Sequence, residues 1–326
     1  MPIIQPPYRK YIGPALAVFI YLLSTPLIAT SIFKTGQTPS TTGASPNMTR
    51  TPVLFLSHGG PNLFEDTKHP AYAQLQKIGH QVTHQIKPKA VVVISAHWQG
   101  GPKTIEVNTA TSQGLIYDYY GFPPHFYELQ YPNTGSPELA ERVLGHLGDA
   151  GIKSEPVRRG LDHGVFSPFY VAFNPDTNPL QVPVVQVSLF DSDSISQHLA
   201  LGRALAPLRD QGIQLICSGM AVHNIRDMVA AFSRPGFVAP YVKPFDDALT
   251  AAVTQEGAEE RRKALEALVK RKDVGKAHPS LEHLMPVVVA AGAAGEGEKG
   301  ERLWGLNEGG GSWAQFRFGE MVGVEG

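Results

Sequence analysis

Cysteine is nearly absent from this chain, with Cys217 the single example in 326 residues. One cysteine excludes an internal disulfide and any zinc or iron–sulfur site built from several thiolates, so a bound metal would need His, Asp or Glu. Charged residues are also scarce, at 17% of the composition, against the usual quarter. The sequence contains neither GxGxxG nor GxxxxGK[ST], so nucleotide binding has no support.

Acidic residues are missing from the first 50 positions, where Arg9, Lys10, Lys34 and Arg50 give a charge of +4. The remaining residues carry −5, and the whole chain therefore carries −1 at pH 7. Phosphate binding requires a basic face, which residues 51–326 do not have. We therefore expect a small-molecule partner and no nucleic acid.

The N-terminal region differs in texture from the rest. Residues 14–33 contain no charge, and about 20 apolar residues are enough to cross a bilayer as a helix. With basic residues before it, the segment 1–34 is interpreted as a hydrophobic signal or membrane anchor. Residues 35–50, rich in Ser, Thr, Pro and Gly, are expected to form a disordered linker. Met48 is an alternative start, and a chain begun there would be cytoplasmic.

Residues 51–326 differ from the segment before them and have the character of a globular protein. Short apolar runs rich in branched side chains predict strands buried on both faces, at 53–56, 90–94, 182–187 and 213–216. Patterns typical of amphipathic helices lie between or after them, at 136–148, 194–210 and 244–272. This alternation predicts an α/β fold of three layers with a central, mostly parallel sheet.

Twelve histidines accompany the single cysteine, and three of them stand just after predicted strands. They are His58, His97 and His223, and each has small neighbours. Ligands of open α/β sheets bind beyond the carboxyl ends of the strands, so these side chains are expected to converge. One such histidine is usually only hydrogen-bonded, but three together favour a metal site. Imidazole suits zinc, iron, copper or nickel.

Other histidines have weaker signals. His163 lies in the glycine-flanked loop RGLDHG and is a fourth candidate for the site. His125 in GFPPHFY is ambiguous, and His278 and His283 precede a further helix, where either would line the pocket or cap the helix.

Six motifs give the chain a resemblance to a known family. In order, they are SHGGP, SAHW, IYDYYGFPPHFYELQYP, GLDHG, SGMAVHN and AHPSLEHLMP, and together they extend over roughly 51–320. This set resembles the class III extradiol ring-cleavage dioxygenases, in the branch similar to 4,5-DOPA dioxygenase. The resemblance implies a single three-layer catalytic domain over 51–326. It also implies cleavage of a DOPA-like catechol next to its diol by O2, which gives a muconic semialdehyde.

The same resemblance implies one divalent metal per chain, with Fe(II) for catalysis and Zn(II) as an alternative in the isolated protein. Its ligands map onto His58, His97 and His223, and His163 maps onto an acid/base residue or a further ligand. Asn224 would support His223 or the substrate, as would His125 or His278 at the pocket. Asp162 is placed to orient His163, although adjacent side chains often point apart.

Two other functions compete with ring cleavage. Three histidines and an open position also suit a zinc hydrolase, but neither HExxH nor HxxE occurs around His58, His97 or His223. The second rival is a membrane-tethered binding protein that keeps the fold without activity. The four candidate histidines are all present, which favours an enzyme.

Overall fold

The computed structural model describes residues 50–321. The predicted segment 1–34 and the linker up to residue 49 therefore lie outside the described residues. The strands of the described part are β1 (Val53–Ser57), β2 (Ala90–Gln99), β3 (Ile105–Asn108), β4 (Leu115–Ile116), β5 (Ser154–Val157), β6 (Leu161–Asp162), β7 (Val184–Leu189), β8 (Ile213–Gly219), β9 (Val222–His223), β10 (Gly300–Trp304), β11 (Asn307–Glu308), β12 (Gly311–Ser312) and β13 (Gln315–Phe318).

The helices alternate with these strands through most of the chain. They are α1 (Pro70–Gln81), α2 (Pro137–Asp149), α3 (His163–Ala172), α4 (Ile195–Leu205), α5 (Pro207–Asp210), α6 (Ile225–Ala231), α7 (Val242–Val253), α8 (Ala258–Leu268), α9 (Val274–Ala277) and α10 (Met285–Ala293). Within residues 50–321, no helix has the length and apolar character that a membrane crossing requires.

Eight strands form the central sheet, in the order β10-β13-β1-β8-β2-β7-β3-β5. Strands β1, β8, β2 and β7 pair in parallel, which confirms the predicted mostly parallel sheet. The added strands β13 and β10 are antiparallel, and β3 runs antiparallel to β7. Parallel strands end at one edge of the sheet, so residues after β1, β8 and β2 are brought close together.

Two apolar layers cover the sheet, as the branched composition of the strands predicts. Side chains alternate across it, so Val53 and Phe55 of β1 join one hydrophobic cluster and Leu54 and Leu56 join the other. Helices α2, α4, α7, α8 and α10 supply the first cluster, and α1 and α3 supply the second. The three-layer α/β architecture is therefore confirmed.

Two helix predictions need correction. The helix expected at 194–210 is divided into α4 and α5, because Pro207 lacks the N–H needed to continue a helix. The helix expected at 244–272 is also two helices, and α8 begins after Gly257, whose extended backbone (φ −76°, ψ 138°) caps it. The amphipathic pattern continues across that turn, which is why the sequence reads as one helix.

Candidate metal centre

Five histidines from five parts of the chain meet at the carboxyl edge of the sheet. His58 directly follows β1, His97 lies within β2, His163 begins α3, His223 ends β9 and His283 stands two residues before α10. The predicted strand at 90–94 extends to Gln99, so His97 belongs to the strand rather than to a loop after it.

His58, His97 and His163 form the tightest part of this cluster. Each offers a ring nitrogen, and these nitrogens all lie within 4.8 Å of one another. The ring centroids of His97 and His163 are 4.0 Å apart, and that of His58 lies 5.1 Å from His97 and 5.7 Å from His163. The structure thus brings together three of the four histidines that the sequence proposes as ligands.

His283 joins the cluster from the opposite side. Its Nε2 lies 3.2 Å from Nε2 of His97, and its ring stacks on His223 with centroids 3.6 Å apart. Gly219 at the end of β8 makes this approach possible, since a Cβ there would lie 2.4 Å from the carbonyl oxygen of His283. His223 therefore packs on His283, while His283 itself faces His97 and His58.

Hydrogen bonds determine which nitrogen each ring turns inward. Nδ1 of His58 lies 2.7 Å from the carbonyl oxygen of Gly59, and Nδ1 of His283 lies 2.9 Å from Oε1 of Glu282. Since these oxygens only accept, both Nδ1 atoms carry the proton and both Nε2 atoms have a free lone pair. Nε2 of His58 is buried and has no hydrogen-bond partner among the described residues.

This arrangement fits a divalent cation. The Nε2 atoms of His97 and His283 face each other at hydrogen-bond distance, yet an oxygen partner holds each Nδ1. Metal-ligating histidines characteristically donate their other N–H to a carboxylate or carbonyl oxygen. A cation among the Nε2 atoms would satisfy the orphaned nitrogen of His58 as well.

The electrostatics favour neutral imidazole rings. Burial, and then the neighbouring histidines, lower the pKa of both His58 and His283 well below the ordinary value. Burial also lowers the pKa of His163, and it brings that of His223 to about 3. Neutral imidazole is the form that binds metals.

Asp118 is a site residue that the sequence did not single out. Its Oδ1 lies 2.8 Å from Nδ1 of His163, and its Oδ2 lies 3.0 Å from Nδ1 of His97. Although burial raises it, hydrogen bonds from His163 and His97 hold the pKa of Asp118 well below its usual range. The only sequence signal is its place in the motif IYDYYGFPPHFYELQYP.

Asp162 has a different role from the one considered for it. Its carboxylate accepts hydrogen bonds from Ser95 (2.6 Å), Arg159 (2.7 Å) and Gln186 (2.6 Å) beneath the cluster. Asp162 and His163 are adjacent, and Asp162 directs its carboxylate to these partners while Asp118 holds the ring of His163. Asp162 thus neutralises a partly buried arginine, and Asp118 orients the histidine.

The remaining predicted site residues have other partners. His125 lies at the surface, where its Nε2 is 2.8 Å from Oε1 of Glu65 and its side chain is 55% exposed. His278 is buried, with its Nε2 3.0 Å from the carbonyl oxygen of Ala221. Asn224 caps α6 and donates to the carbonyl oxygen of Lys276. These contacts place His125 outside the histidine cluster.

Aromatic side chains lie beside His163. The ring of Tyr119 meets His163 edge to face at 5.6 Å, and Phe122 and Tyr127 each lie 5.3 Å from Tyr119. The Tyr119 hydroxyl donates to the carbonyl oxygen of Phe126, and burial raises the pKa of Tyr119 to about 12. The phenol of Tyr119 is therefore neutral, and its ring forms part of the wall of the site rather than acting as a base.

Known proteins match this chain along most of its length. The family described as "Catalytic LigB subunit of aromatic ring-opening dioxygenase" matches residues 48–317. A 4,5-DOPA dioxygenase extradiol of Beta vulgaris is 36% identical over 279 residues, which cover 85% of this chain and 98% of that protein. Another protein of that name, from Escherichia coli, is 32% identical over 246 residues, with 75% and 86% covered.

A solved structure agrees with these matches. The crystal structure of an uncharacterized protein from Escherichia coli K12 superimposes with a TM-score of 0.66 at 30% identity. The match covers 83% of this chain and all of the other. The chain belongs to the LigB family of aromatic ring-opening dioxygenases, and its activity class is that of an extradiol ring-cleaving dioxygenase.

Proposed function

We propose that the protein opens the aromatic ring of a DOPA-like catechol next to its two hydroxyl groups and incorporates both atoms of O2 to give a muconic semialdehyde. The observation that carries this proposal is the cluster of His58, His97, His163 and His283 at the carboxyl edge of the sheet, beside an aromatic wall. Two relatives named 4,5-DOPA dioxygenase extradiol support the choice of substrate.

The proposed metal ligands are His58, His97 and His283. In each of the three, Nδ1 is held by an oxygen and Nε2 is directed to the centre of the cluster. We propose His283 in place of His223, which the sequence suggested as the third ligand, because Nε2 of His283 lies 3.2 Å from Nε2 of His97 while the ring of His223 stacks on that of His283. Fe(II) is the metal proposed for catalysis, and Zn(II) suits the same nitrogen donors.

A ferrous ion at this position would supply the redox chemistry with O2 that amino-acid side chains lack. His163 is proposed to take a proton from one catechol hydroxyl and to return it later in the reaction. Its Nδ1 donates to Asp118, so its Nε2 is free to accept. His163 borders the Tyr119 wall, where an aromatic substrate would lie within reach of that nitrogen.

A zinc hydrolase would need a free carboxylate as general base near the cluster. Glu282 lies beside His223 and His283, but its carboxylate already accepts a hydrogen bond from Nδ1 of His283. That contact makes Glu282 an orienting partner, and it favours ring cleavage over hydrolysis.

The direct test is turnover by the full chain loaded with ferrous iron in the absence of oxygen. DOPA, protocatechuate or catechol is then added with air, and O2 uptake and the visible absorbance of a semialdehyde are followed. We expect a yellow product and one O2 consumed per ring opened. Absence of both with all three catechols would refute the proposal, and ester or amide hydrolysis by the zinc form would favour the rival.

Three histidine variants separate the proposed roles. His97→Ala is expected to abolish metal retention, whereas His163→Ala is expected to keep the metal and to slow turnover about a hundredfold or more, the usual contribution of an acid/base group. His125→Ala is the matched control, because its ring is paired with Glu65 at the surface. Loss of metal in His163→Ala would make His163 a ligand instead.

A further inference from the structure

Asp118 is the one carboxylate in the described chain that contacts both a proposed metal ligand and the proposed proton carrier. Its two oxygens are divided between the rings, with Oδ2 3.0 Å from Nδ1 of His97 and Oδ1 2.8 Å from Nδ1 of His163. The side chain is 24% exposed. These two contacts account for a carboxylate at this position.

Local pairing of the chain brings Asp118 to this position. Strand β4 pairs with β6 in parallel, with Ile116 opposite Asp162, so Asp118 reaches the start of α3. There its Oδ1 also accepts from the backbone N–H of His163, 3.0 Å away. The N-cap residue of α3, Asp162, makes no capping hydrogen bond with its own side chain. Asp118 therefore caps α3 from a different part of the chain.

A carboxylate at position 118 determines which nitrogen of each of the two imidazole rings carries the proton, and a helix cap alone would not. Both of its oxygens can only accept, so both Nδ1 atoms must carry protons and both Nε2 atoms must present lone pairs. An asparagine would keep one acceptor for α3 and His163, but it would turn an N–H₂ donor toward Nδ1 of His97. The ring of His97 would then be driven to the opposite tautomer, with its proton on Nε2.

We propose that Asp118 is a positioning residue that fixes the Nδ1–H tautomer of His97 and His163 together, so that one carboxylate prepares a metal-binding nitrogen and a proton-accepting nitrogen in the same site. The roles of the two histidines rest on the proposed function. The tautomers themselves rest on the hydrogen bond of Asp118 to His163 and its 3.0 Å contact with Nδ1 of His97, and they do not depend on which substrate the enzyme takes.

The test is Asp118→Asn in the full chain, with Zn²⁺ as the probe. Competition with a chromophoric chelator is expected to show metal affinity roughly ten- to a hundredfold weaker, the usual effect of losing such a partner. The two-bond ¹H–¹⁵N spectrum is expected to show the His97 proton moved from Nδ1 to Nε2. Because asparagine still caps α3, the thermal unfolding midpoint should change little.

Asp118→Glu is the conservative variant, and it is expected to restore much of the affinity and the original tautomers. If Asp118 only capped α3, asparagine would serve well in its place and both histidine tautomers would be unchanged. Unchanged zinc affinity together with unchanged tautomers in Asp118→Asn would overturn the proposal.

A double-mutant cycle tests the second half of the proposal. In the iron enzyme, Asp118→Asn is expected to lower kcat about tenfold or more while KM changes about twofold at most. In a His163→Ala background, the same substitution should weaken zinc binding by the same factor, but at saturating iron its effect on kcat should be smaller, because only the contact with His97 then remains. A loss of kcat of equal size in both backgrounds would show that Asp118 does not act through His163. Zinc affinity is measured without any catechol, so failure of the substrate proposal leaves this result intact.

Discussion

Gly59 is a position where a single added methyl group should damage both stability and metal binding. The residue follows His58 with a φ of +67°, in the left-handed region that favours glycine. A Cβ there would lie 1.9 Å from Cη2 of Trp313. Trp313 has little room to move, because its Nε1 donates to Glu308 at 2.6 Å and its ring packs 4.5 Å from that of His69.

The cost of Gly59→Ala has two parts. The left-handed backbone costs an alanine roughly 1–2 kcal/mol, and forcing the Trp313 ring aside adds roughly 1–3 kcal/mol of overpacking. We therefore expect a loss of roughly 2–5 kcal/mol in the free energy of unfolding. Metal affinity should also fall, since the carbonyl oxygen of Gly59 orients the ring of His58.

Gly121→Ala is the matched control. Gly121 has a φ of +80°, but no described atom lies within 4 Å of its Cβ position, so only the backbone cost applies. Urea unfolding and zinc competition on both variants should show Gly59→Ala roughly 1–3 kcal/mol less stable than Gly121→Ala. Equal losses in the two variants, with zinc affinity unchanged, would refute the packing argument.

Three further predictions concern other parts of the molecule. Gly164→Ala should weaken zinc binding, because a Cβ there would lie 2.7 Å from the ring of His97; affinity equal to that of the unsubstituted protein would contradict this. Glu298→Gln should cost roughly 3 kcal/mol in urea unfolding at pH 7, since it leaves the buried guanidinium of Arg209 without its carboxylate. Burial raises the pKa of Glu298, but hydrogen bonds from Arg209 and a backbone N–H outweigh it, and the net pKa is below its ordinary value. The stability from this pair is therefore fully present above about pH 4.3 and lost as the pH falls through the lower native pKa, so the difference between the two proteins should shrink in acid. Cys217 should react with a thiol reagent only after unfolding, because burial raises the pKa of its thiol; rapid labelling of the native protein would contradict this.

The strands could be predicted because their amino-acid composition directly reflects their burial on both faces of the sheet. Runs such as 53–56 and 213–216 are branched and apolar on almost every residue, and only a strand covered on both faces needs that composition. The break between α7 and α8 was not predicted, because both helices keep an apolar face toward the same layer. The position of the turn at Gly257 depends on how the two helices pack against that layer, and the pattern of apolar residues in the sequence hardly shows it.

The site residues also divide into those that the sequence could predict and those that it could not. His58 and His97 could be predicted as neighbours because each lies at the end of a buried parallel strand, and such ends meet. His283 follows no strand, and its place beside His97 results from close packing on Gly219. Asp118 reaches His163 through the two-residue pairing of β4 with β6, which is too short to produce a periodic signal.

The sequence by itself determined the α/β class, the absence of a thiolate site, and an imidazole centre at the carboxyl edge of the sheet, because these follow from composition and from the direction of buried strands. Only the tertiary structure decided which nitrogens of His97 and His163 face inward, that His283 faces His97, and that Asp118 rather than the adjacent Asp162 orients His163. Those outcomes depend on contacts between residues distant in the chain, and distances of a few ångströms between such residues are set by packing rather than by local sequence.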